Sequence, residues 1–265
     1  MPDNNRKNIK DRLKKGDTIF GTWNIIASPS LVEAIGYSGL DFVVIDAEHG
    51  PVNMETAENL IRAAEVTGMA PIIRVPHNEP HLILRALDIG AHGVQVPHIS
   101  TRKEAESAVE SSKYHPVGKR GLSPFTRAGK YGTEMEGHTT RSNENTMVIV
   151  NIEGTAGVKN LIEITDVPGI DVIFIGPYDL SQSLGMPGQV TASEVIDLIN
   201  SSAKIAKEKG LVCGSFAKDL GYLEILIECG IRYITYMVDT SVVSQSYGLM
   251  KKTFNELVSN RRKLK

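Results

Sequence analysis

Charged and imidazole side chains follow several short apolar runs of this 265-residue sequence, at the points where the runs end. One run ends in Glu48 and His49, another carries Arg74, and two later runs end in Glu153 and Asp179. Two carboxylates with no cysteine nearby favour a hard, oxygen-binding cation such as Mg²⁺ or Mn²⁺. An arginine suits an anionic oxygen that develops during a reaction, and a histidine moves protons near neutral pH. Together these side chains indicate a metal-assisted enolate reaction on a 2-oxo acid.

The polar residues at the ends of these and the other apolar runs, taken one at a time, also have structural explanations. His98 at the end of another run is typical of a structural histidine, Asp179 of a first-turn helix residue, and Asp239 of a helix cap. The segment IGPYDLS (175–181) begins a helix whose first N–H groups could cradle a carboxylate or phosphate. Catalytic groups in some folds come from several strand ends, and the convergence of these residue types therefore favours function.

The elements that carry these residues alternate regularly along the chain. Eight short apolar runs are separated by longer stretches of helical spacing. Such strands are typical of a parallel sheet covered by helices, and eight units in 265 residues predict an α/β fold, a (β/α)8 TIM barrel. The competing open sheet would have a Gly-rich turn after its first strand, and the sequence has none there. The predicted strands are 19–24, 42–48, 71–76, 93–98, 147–153, 172–177, 211–216 and 233–239.

We expect a single barrel domain over residues 1–265, with an N-terminal helix at 1–17. A long connection, residues 115–146, precedes the fifth strand, and connections of this length are often functional or disordered. In the simplest arrangement it lies at the bottom edge of the barrel, unless it folds back or meets a neighbouring subunit.

Composition restricts the partners and the compartment. The formal net charge of −2 and a pI near 6.4 indicate neither a nucleic acid nor a membrane surface as partner. The two cysteines, Cys213 and Cys229, lie in apolar surroundings at no motif spacing and are predicted to be reduced. No stretch has the length of a membrane span or of a signal peptide's apolar region, and we predict a cytoplasmic protein.

Five stretches resemble the HpcH/HpaI family of metal-dependent (class II) pyruvate aldolases, such as 4-hydroxy-2-oxoheptane-1,7-dioate aldolase and 2-dehydro-3-deoxyglucarate aldolase. They occur in family order and spacing, and the likeness extends from Ile19 to about Phe254. The resemblance implies a (β/α)8 barrel, a homohexamer of two trimers, and a last helix exchanged between subunits. The stretches are GLDFVVIDAEHGPVN (39–53), PIIRV (71–75), VGKRG (117–121), IVNIEGTAGVKNL (149–161) and FIGPYDLSQSLG (174–185).

The resemblance also implies an aldehyde-lyase that reversibly cleaves a 4-hydroxy-2-oxo acid to pyruvate and an aldehyde through a metal-stabilised enolate. Glu153 and Asp179 would bind the metal, Mg²⁺ or Mn²⁺ first, with Co²⁺ and Zn²⁺ as alternatives. Arg74 would hold the carbonyl and then enolate oxygen. His49, oriented by Asp88, would act as or assist the base.

Substrate contacts follow from the same resemblance. The N–H groups of Tyr178 and Asp179 would bind the pyruvate carboxylate, and Trp23 would line the aldehyde side. Asn151 stands where the family commonly has Gln. At the end of the eighth strand, Tyr236-Met237 is bulkier than the small residue that the family often has at that position. The predicted substrate-binding set is Trp23, Arg74, Asn151, Gly176, Pro177, Tyr178 and Asp179.

Several alternatives stay open at the level of sequence. A Schiff-base aldolase would need a lysine in the barrel, and Lys218 is the only one near the rim. A citryl- or malyl-CoA lyase or an oxaloacetate decarboxylase could use the same site. A barrel that binds a carboxylate without catalysis is the alternative of another class. The sequence identifies neither the aldehyde nor the oligomeric state, trimer or hexamer.

Overall fold

The computed structural model describes residues 8–263 and shows a closed barrel of eight parallel strands. The strands follow one another in chain order, and the last pairs with the first. The predicted barrel is confirmed, and the strand ends differ from the predicted ones by at most two residues. The strands are β1 Ile19–Asn24, β2 Phe42–Asp46, β3 Ala70–Arg74, β4 Gly93–Val96, β5 Met147–Ile152, β6 Val172–Ile175, β7 Val212–Ala217 and β8 Tyr233–Val238.

Helices cover the outside of the barrel, and local signals set their starts. The Ser28 side chain caps the helix that begins at Pro29, and Thr101 with Glu104 forms a capping box. Of the predicted N-terminal helix, residues 1–7 lie outside the described residues. The helices are α1 Ile9–Lys14, α2 Pro29–Tyr37, α3 Met54–Val66, α4 Pro80–Asp88, α5 Arg102–Ser112, α6 His138–Asn145, α7 Thr155–Lys159, α8 Leu161–Thr165, α9 Pro177–Ser183, α10 Ser193–Glu208, α11 Leu220–Glu228 and α12 Asp239–Lys263.

An aromatic column fills the inside of the barrel. The rings of Phe42 and Tyr233 stack at 4.3 Å, Phe174 meets Tyr233 edge-on at 6.2 Å, and Trp23 meets Phe174 at 6.0 Å. A Cβ at Gly21 would lie 2.7 Å from the Phe42 ring, and the missing side chain there leaves room for the column. One set of aliphatic strand side chains packs outward against the helices. A second set, including Val44, Ile72 and Ile149, packs inside the barrel with the aromatic residues. The close-packed column therefore forms a rigid base beneath the C-terminal ends of the strands.

The connection 115–146 lies at the N-terminal ends of the strands. It contains a 3-10 segment, Arg127–Gly132, followed by α6. The buried Lys113 amine fastens it by donating to the carbonyl oxygens of Asn143 and Thr146, at 2.8 and 2.6 Å. A groove of about 750 Å³ runs between this connection, α1 and the starts of β4 and β5.

The last helix, α12, begins at the top of β8 and exposes many apolar side chains, including those of Tyr247, Met250 and Phe254. Exchange of this helix between subunits stays a prediction. Among the described residues, no helix has both the length and the apolar character needed to cross a membrane.

Candidate active site

A cavity of about 380 Å³ opens at the C-terminal ends of the strands, where the sequence places the charged residues. All of the predicted site residues except Asp88 line it. The residues that the prediction did not include are Ile25, Asp46, Phe174, Phe216 and Val238.

The carboxylate of Asp46 organises one wall of the cavity. Its Oδ1 accepts the Nε–H of Arg74 at 2.9 Å and its Oδ2 accepts Nη2–H at 2.6 Å. Its Oδ1 also accepts the backbone N–H groups of Glu48 and His49, at 3.0 and 3.2 Å. Asp46 on β2 and Arg74 on β3 are register partners, and the pairing of the two strands therefore brings their side chains together. Through these hydrogen bonds, the buried Asp46 carboxylate holds both the guanidinium and the loop that carries His49.

Arg74 is held on three sides. The Trp23 ring lies under its guanidinium at 4.2 Å, and Trp23 is itself fixed by donating from Nε1 to Thr235 Oγ1 at 2.8 Å. The Arg74 Nη1 lies 2.9 Å from Glu48 Oε2, an ion-pair distance without hydrogen-bond geometry. Its hydrogen bonds to Asp46 use Nε and one hydrogen of Nη2, so N–H groups on both terminal nitrogens remain available to an oxygen in the cavity.

Glu153, just after β5, is buried and anchored through both oxygens. Its Oε1 accepts Nδ2–H of Asn151 at 2.9 Å, and the Asn151 Oδ1 accepts from Gln95 Nε2 at 2.8 Å. Its Oε2 accepts the backbone N–H of His98 at 3.0 Å, and the His98 ring Nδ1 lies 2.8 Å from the same oxygen. The shorter Asn151 side chain thus works together with the fully buried Gln95, which the sequence alone did not reveal.

Glu48 joins these groups from the side. Its Oε1 lies 3.0 Å from His98 Nε2. Burial raises the pKa of the Glu48 carboxyl, Arg74 opposes the rise, and the negative charge of Glu153 adds to it. Glu48 therefore belongs to the charge network of the site, although it does not line the cavity.

The donor set of the cavity fits a hard divalent cation. The Oε1 of Glu153 accepts one hydrogen bond, which leaves it a lone pair. It lies next to Gly176, where an added Cβ would be 3.6 Å away from it. Asp179 is exposed in the first turn of α9, which begins next to Gly176. Within residues 8–263 no group of three or more His, Cys, Asp or Glu side chains is arranged to hold a metal. Two protein carboxylates suit Mg²⁺ or Mn²⁺, which keep several water or substrate oxygens as ligands.

Asp88 lies apart from the other predicted site residues. It ends α4, and its Oδ1 accepts from Nη2 of the buried Arg120 at 2.6 Å. The Arg120 guanidinium also lies over the Tyr114 ring at 4.6 Å. Among the described residues, the side-chain hydrogen bond of Asp88 is to Arg120, and none joins it to His49. The orientation of His49 by Asp88 stays a prediction.

Two further residues of the rim, Asp239 and Lys218, also have structural explanations in the sequence. Asp239 is more than a helix cap, since its buried carboxylate accepts from Asn24 Nδ2 at 2.6 Å and from the backbone N–H groups of Ile25 and Ile26. It thereby fixes the loop after β1. Lys218 pairs with Asp219 at the surface, and no lysine lines the cavity among the residues described.

Comparisons with known proteins agree with this geometry. The family model described as HpcH/HpaI aldolase/citrate lyase matches residues 20–245. The chain is 35% identical over 248 residues to a 5-keto-4-deoxy-D-glucarate aldolase of Salmonella paratyphi A, covering 94% of this chain and 96% of that protein. It is 33% identical over 246 residues to a 2-dehydro-3,6-dideoxy-6-sulfogluconate aldolase of Pseudomonas putida, covering 93% of each.

Solved structures show the same similarity. The citrate synthase SbnG superposes with a TM-score of 0.87 at 32% identity, covering 95% of this chain and 99% of that one. A HpcH/HpaI aldolase/citrate lyase family protein from Burkholderia cenocepacia superposes with a TM-score of 0.88 at 31% identity, covering 94% and 98%.

Proposed function

The chain belongs to the HpcH/HpaI aldolase/citrate lyase family, and we propose that it is an aldehyde-lyase that reversibly cleaves a 4-hydroxy-2-oxo acid to pyruvate and an aldehyde. The observation that carries the proposal is one cavity that combines Arg74, His49 and the carboxylates of Glu153 and Asp179. The names of the two curated relatives support it, since both are aldolases of deoxy sugar acids that carry an oxo group.

We assign Glu153 and Asp179 as the residues that would hold a divalent cation, Mg²⁺ or Mn²⁺ before Co²⁺ or Zn²⁺. When bound, such a cation supplies Lewis-acid polarisation of the 2-oxo group. The lone pair on Glu153 Oε1 and the exposed carboxylate of Asp179 support this assignment.

Arg74 would act on the oxygen that becomes negative. When the C3–C4 bond breaks, its electron pair passes into an enolate, and charge develops on the oxygen at C2. The terminal N–H groups of Arg74 that Asp46 leaves available would donate to this oxygen. Because Asp46 and Trp23 already hold the guanidinium, little reorganisation is needed during the reaction.

His49 would move the protons. Its backbone is held by Asp46, and its side chain lines the cavity. Within reach of the substrate, the imidazole would take the proton of the C4 hydroxyl as the bond breaks, and return a proton to C3 to complete pyruvate. The backbone N–H groups of Tyr178 and Asp179, which a helix leaves without internal acceptors in its first turn, would bind the carboxylate.

The substrates are then a small 2-oxo acid and an aldehyde. Ile25, Phe216 and Val238 give the remaining wall of the cavity an apolar character, and this wall is where the aldehyde tail would lie. We also infer a homo-oligomer, trimer or hexamer, supported by the exposed apolar side chains of α12. Light scattering of the purified protein would measure its mass directly.

A pyruvate-release assay tests the function. The protein is incubated with 4-hydroxy-2-oxo acids of varied tail, with EDTA or with added Mg²⁺, Mn²⁺ or Co²⁺, and pyruvate is followed with a coupled dehydrogenase. We expect turnover that EDTA abolishes, that a metal restores and that His49→Ala reduces. The matched control is His81→Ala, an exposed histidine of α4. Pyruvate formed despite chelation and lost in Lys218→Ala would instead establish Schiff-base chemistry.

A further inference from the structure

His98 is held in an unusual backbone conformation at the rim of the site. Its φ is +58°, in the left-handed region that is strained for a residue with a side chain. It follows β4 closely, and its side chain is 64% exposed, so core packing does not impose this conformation. Such a conformation persists where the surrounding contacts stabilise it. For His98 these contacts are made with Glu153 and Glu48.

The left-handed turn directs both the backbone and the ring of His98 to one oxygen of Glu153. The backbone N–H donates to Oε2 at 3.0 Å, and ring Nδ1 lies 2.8 Å from the same atom. The backbone contact is a hydrogen bond and the ring contact is an ion-pair distance without hydrogen-bond geometry; both are made to Oε2, while Oε1 has a single donor in Asn151. The arrangement fixes the plane of the carboxylate and leaves Oε1 as the oxygen with a lone pair for a cation.

The other ring nitrogen of His98 extends the contact to the opposite side of the site. Nε2 lies 3.0 Å from Glu48 Oε1, and Glu48 Oε2 lies 2.9 Å from Arg74 Nη1. A chain of side chains, Arg74–Glu48–His98–Glu153, therefore joins the guanidinium to the carboxylate assigned to the metal. The ring therefore lies between two carboxylates that would otherwise repel one another, within 3.0 Å of an oxygen of each.

We propose that His98 is a positioning residue that selects Oε1 of Glu153 as the metal-binding oxygen and couples its position to Arg74. This inference rests on the proposed function, because it takes Glu153 as a metal ligand. Residues that hydrogen-bond to metal ligands typically change metal affinity by about 10- to 100-fold when they are removed.

A matched pair of variants separates the side chain from the backbone. His98→Gly accepts the left-handed φ without a side chain, and His98→Asn also accepts it but keeps an N–H donor near the position of Nδ1. Mn²⁺ affinity is measured without substrate by titration calorimetry, and thermal unfolding is followed in parallel. We expect His98→Gly to weaken Mn²⁺ binding by about 10-fold and His98→Asn by less than about 3-fold, with little change in melting temperature.

The control is His92→Gln. His92 immediately precedes the other end of β4 and contacts Glu65 through its ring at 3.1 Å, so it is a histidine–glutamate pair remote from the cavity. We expect its Mn²⁺ affinity to equal that of the unmodified protein. Equal Mn²⁺ binding by His98→Gly and the unmodified protein would overturn the positioning role and leave the proposed function standing. Failure of the unmodified protein to bind Mn²⁺ would overturn both.

A double-mutant cycle tests the link from His98 to Glu48, which is the neighbour of Arg74 in this chain of contacts. If His98 transmits the influence of Glu48, then His98→Gly and Glu48→Gln together weaken Mn²⁺ binding no more than His98→Gly alone. Independent, multiplicative losses would show that Glu48 acts on the cation by another route and would contradict the chain of contacts.

Discussion

Both carboxylate oxygens of Asp46 accept hydrogen bonds from the guanidinium of Arg74, at 2.9 and 2.6 Å. The two residues are register partners on the neighbouring strands β2 and β3. The same carboxylate holds the backbone at Glu48 and His49. One buried side chain thus positions the group that would stabilise the enolate and the group that would move the protons.

The substitution Asp46→Asn keeps the size of the side chain but turns an amide N–H toward the guanidinium. We expect Arg74 to lose its orientation and kcat for pyruvate release to fall by roughly 100-fold, the scale on which misplacement of a catalytic group acts. The control is Asp41→Asn, because Asp41 pairs with Arg12 at the opposite end of β2. A kcat in Asp46→Asn equal to that of the control would show that Arg74 needs no such support.

Trp23 supports Arg74 from below, at 4.2 Å. Replacing it with Leu removes a cation–π contact of about 0.5–2 kcal/mol, and we expect kcat/KM to fall by roughly 2- to 30-fold. Trp23→Phe keeps an aromatic face, although a smaller one, and loses the hydrogen bond to Thr235, so its loss should be smaller than that of Trp23→Leu. Steady-state kinetics of the two variants would give this order, and a reversed order would contradict stacking as the reason.

Glu153→Gln tests the assignment of the metal ligand. The amide has nearly the same shape but no charge, and we expect Mn²⁺ affinity to fall by more than about 100-fold, beyond the range typical of supporting residues. Titration calorimetry measures it, with Glu163→Gln as the control because Glu163 is exposed on α8. Mn²⁺ binding that survives in Glu153→Gln would place the cation elsewhere.

Lys113 makes stability depend on pH. Burial, with repulsion from Lys10 as a smaller cause, lowers the pKa of Lys113 from 10.5 to about 7 in the folded protein. Between pH 7 and 10 the unfolded chain therefore binds this proton more tightly, and the free energy of unfolding should rise with pH by up to about 1.4 kcal/mol per unit. Below pH 7 both states hold the proton and the cost is complete.

Urea unfolding of the unmodified protein and of Lys113→Met, measured from pH 6 to 10, checks this effect. We expect the difference in unfolding free energy between the two to change in favour of the unmodified protein as pH rises. A difference that stays constant over this range would show that Lys113 keeps its proton when folded.

The sequence by itself determined the barrel and the end of it at which the charged residues meet. The apolar runs are buried on both faces, and their period and number permit few other arrangements, so all eight strands could be predicted to within two residues. Residues that end a strand, such as Arg74 and Glu153, necessarily reach one rim because parallel strands share a direction.

Only the tertiary structure decided which side chains touch. The pairing of Asp46 with Arg74 depends on strand register, and the Gln95–Asn151–Glu153 series depends on two strands placing amides at one depth of the barrel. Asp88 pairs with Arg120, a residue of the connection 115–146 that lies 32 positions later in the chain. Such contacts join residues far apart in the chain, and no local pattern of residue types encodes the distances between them.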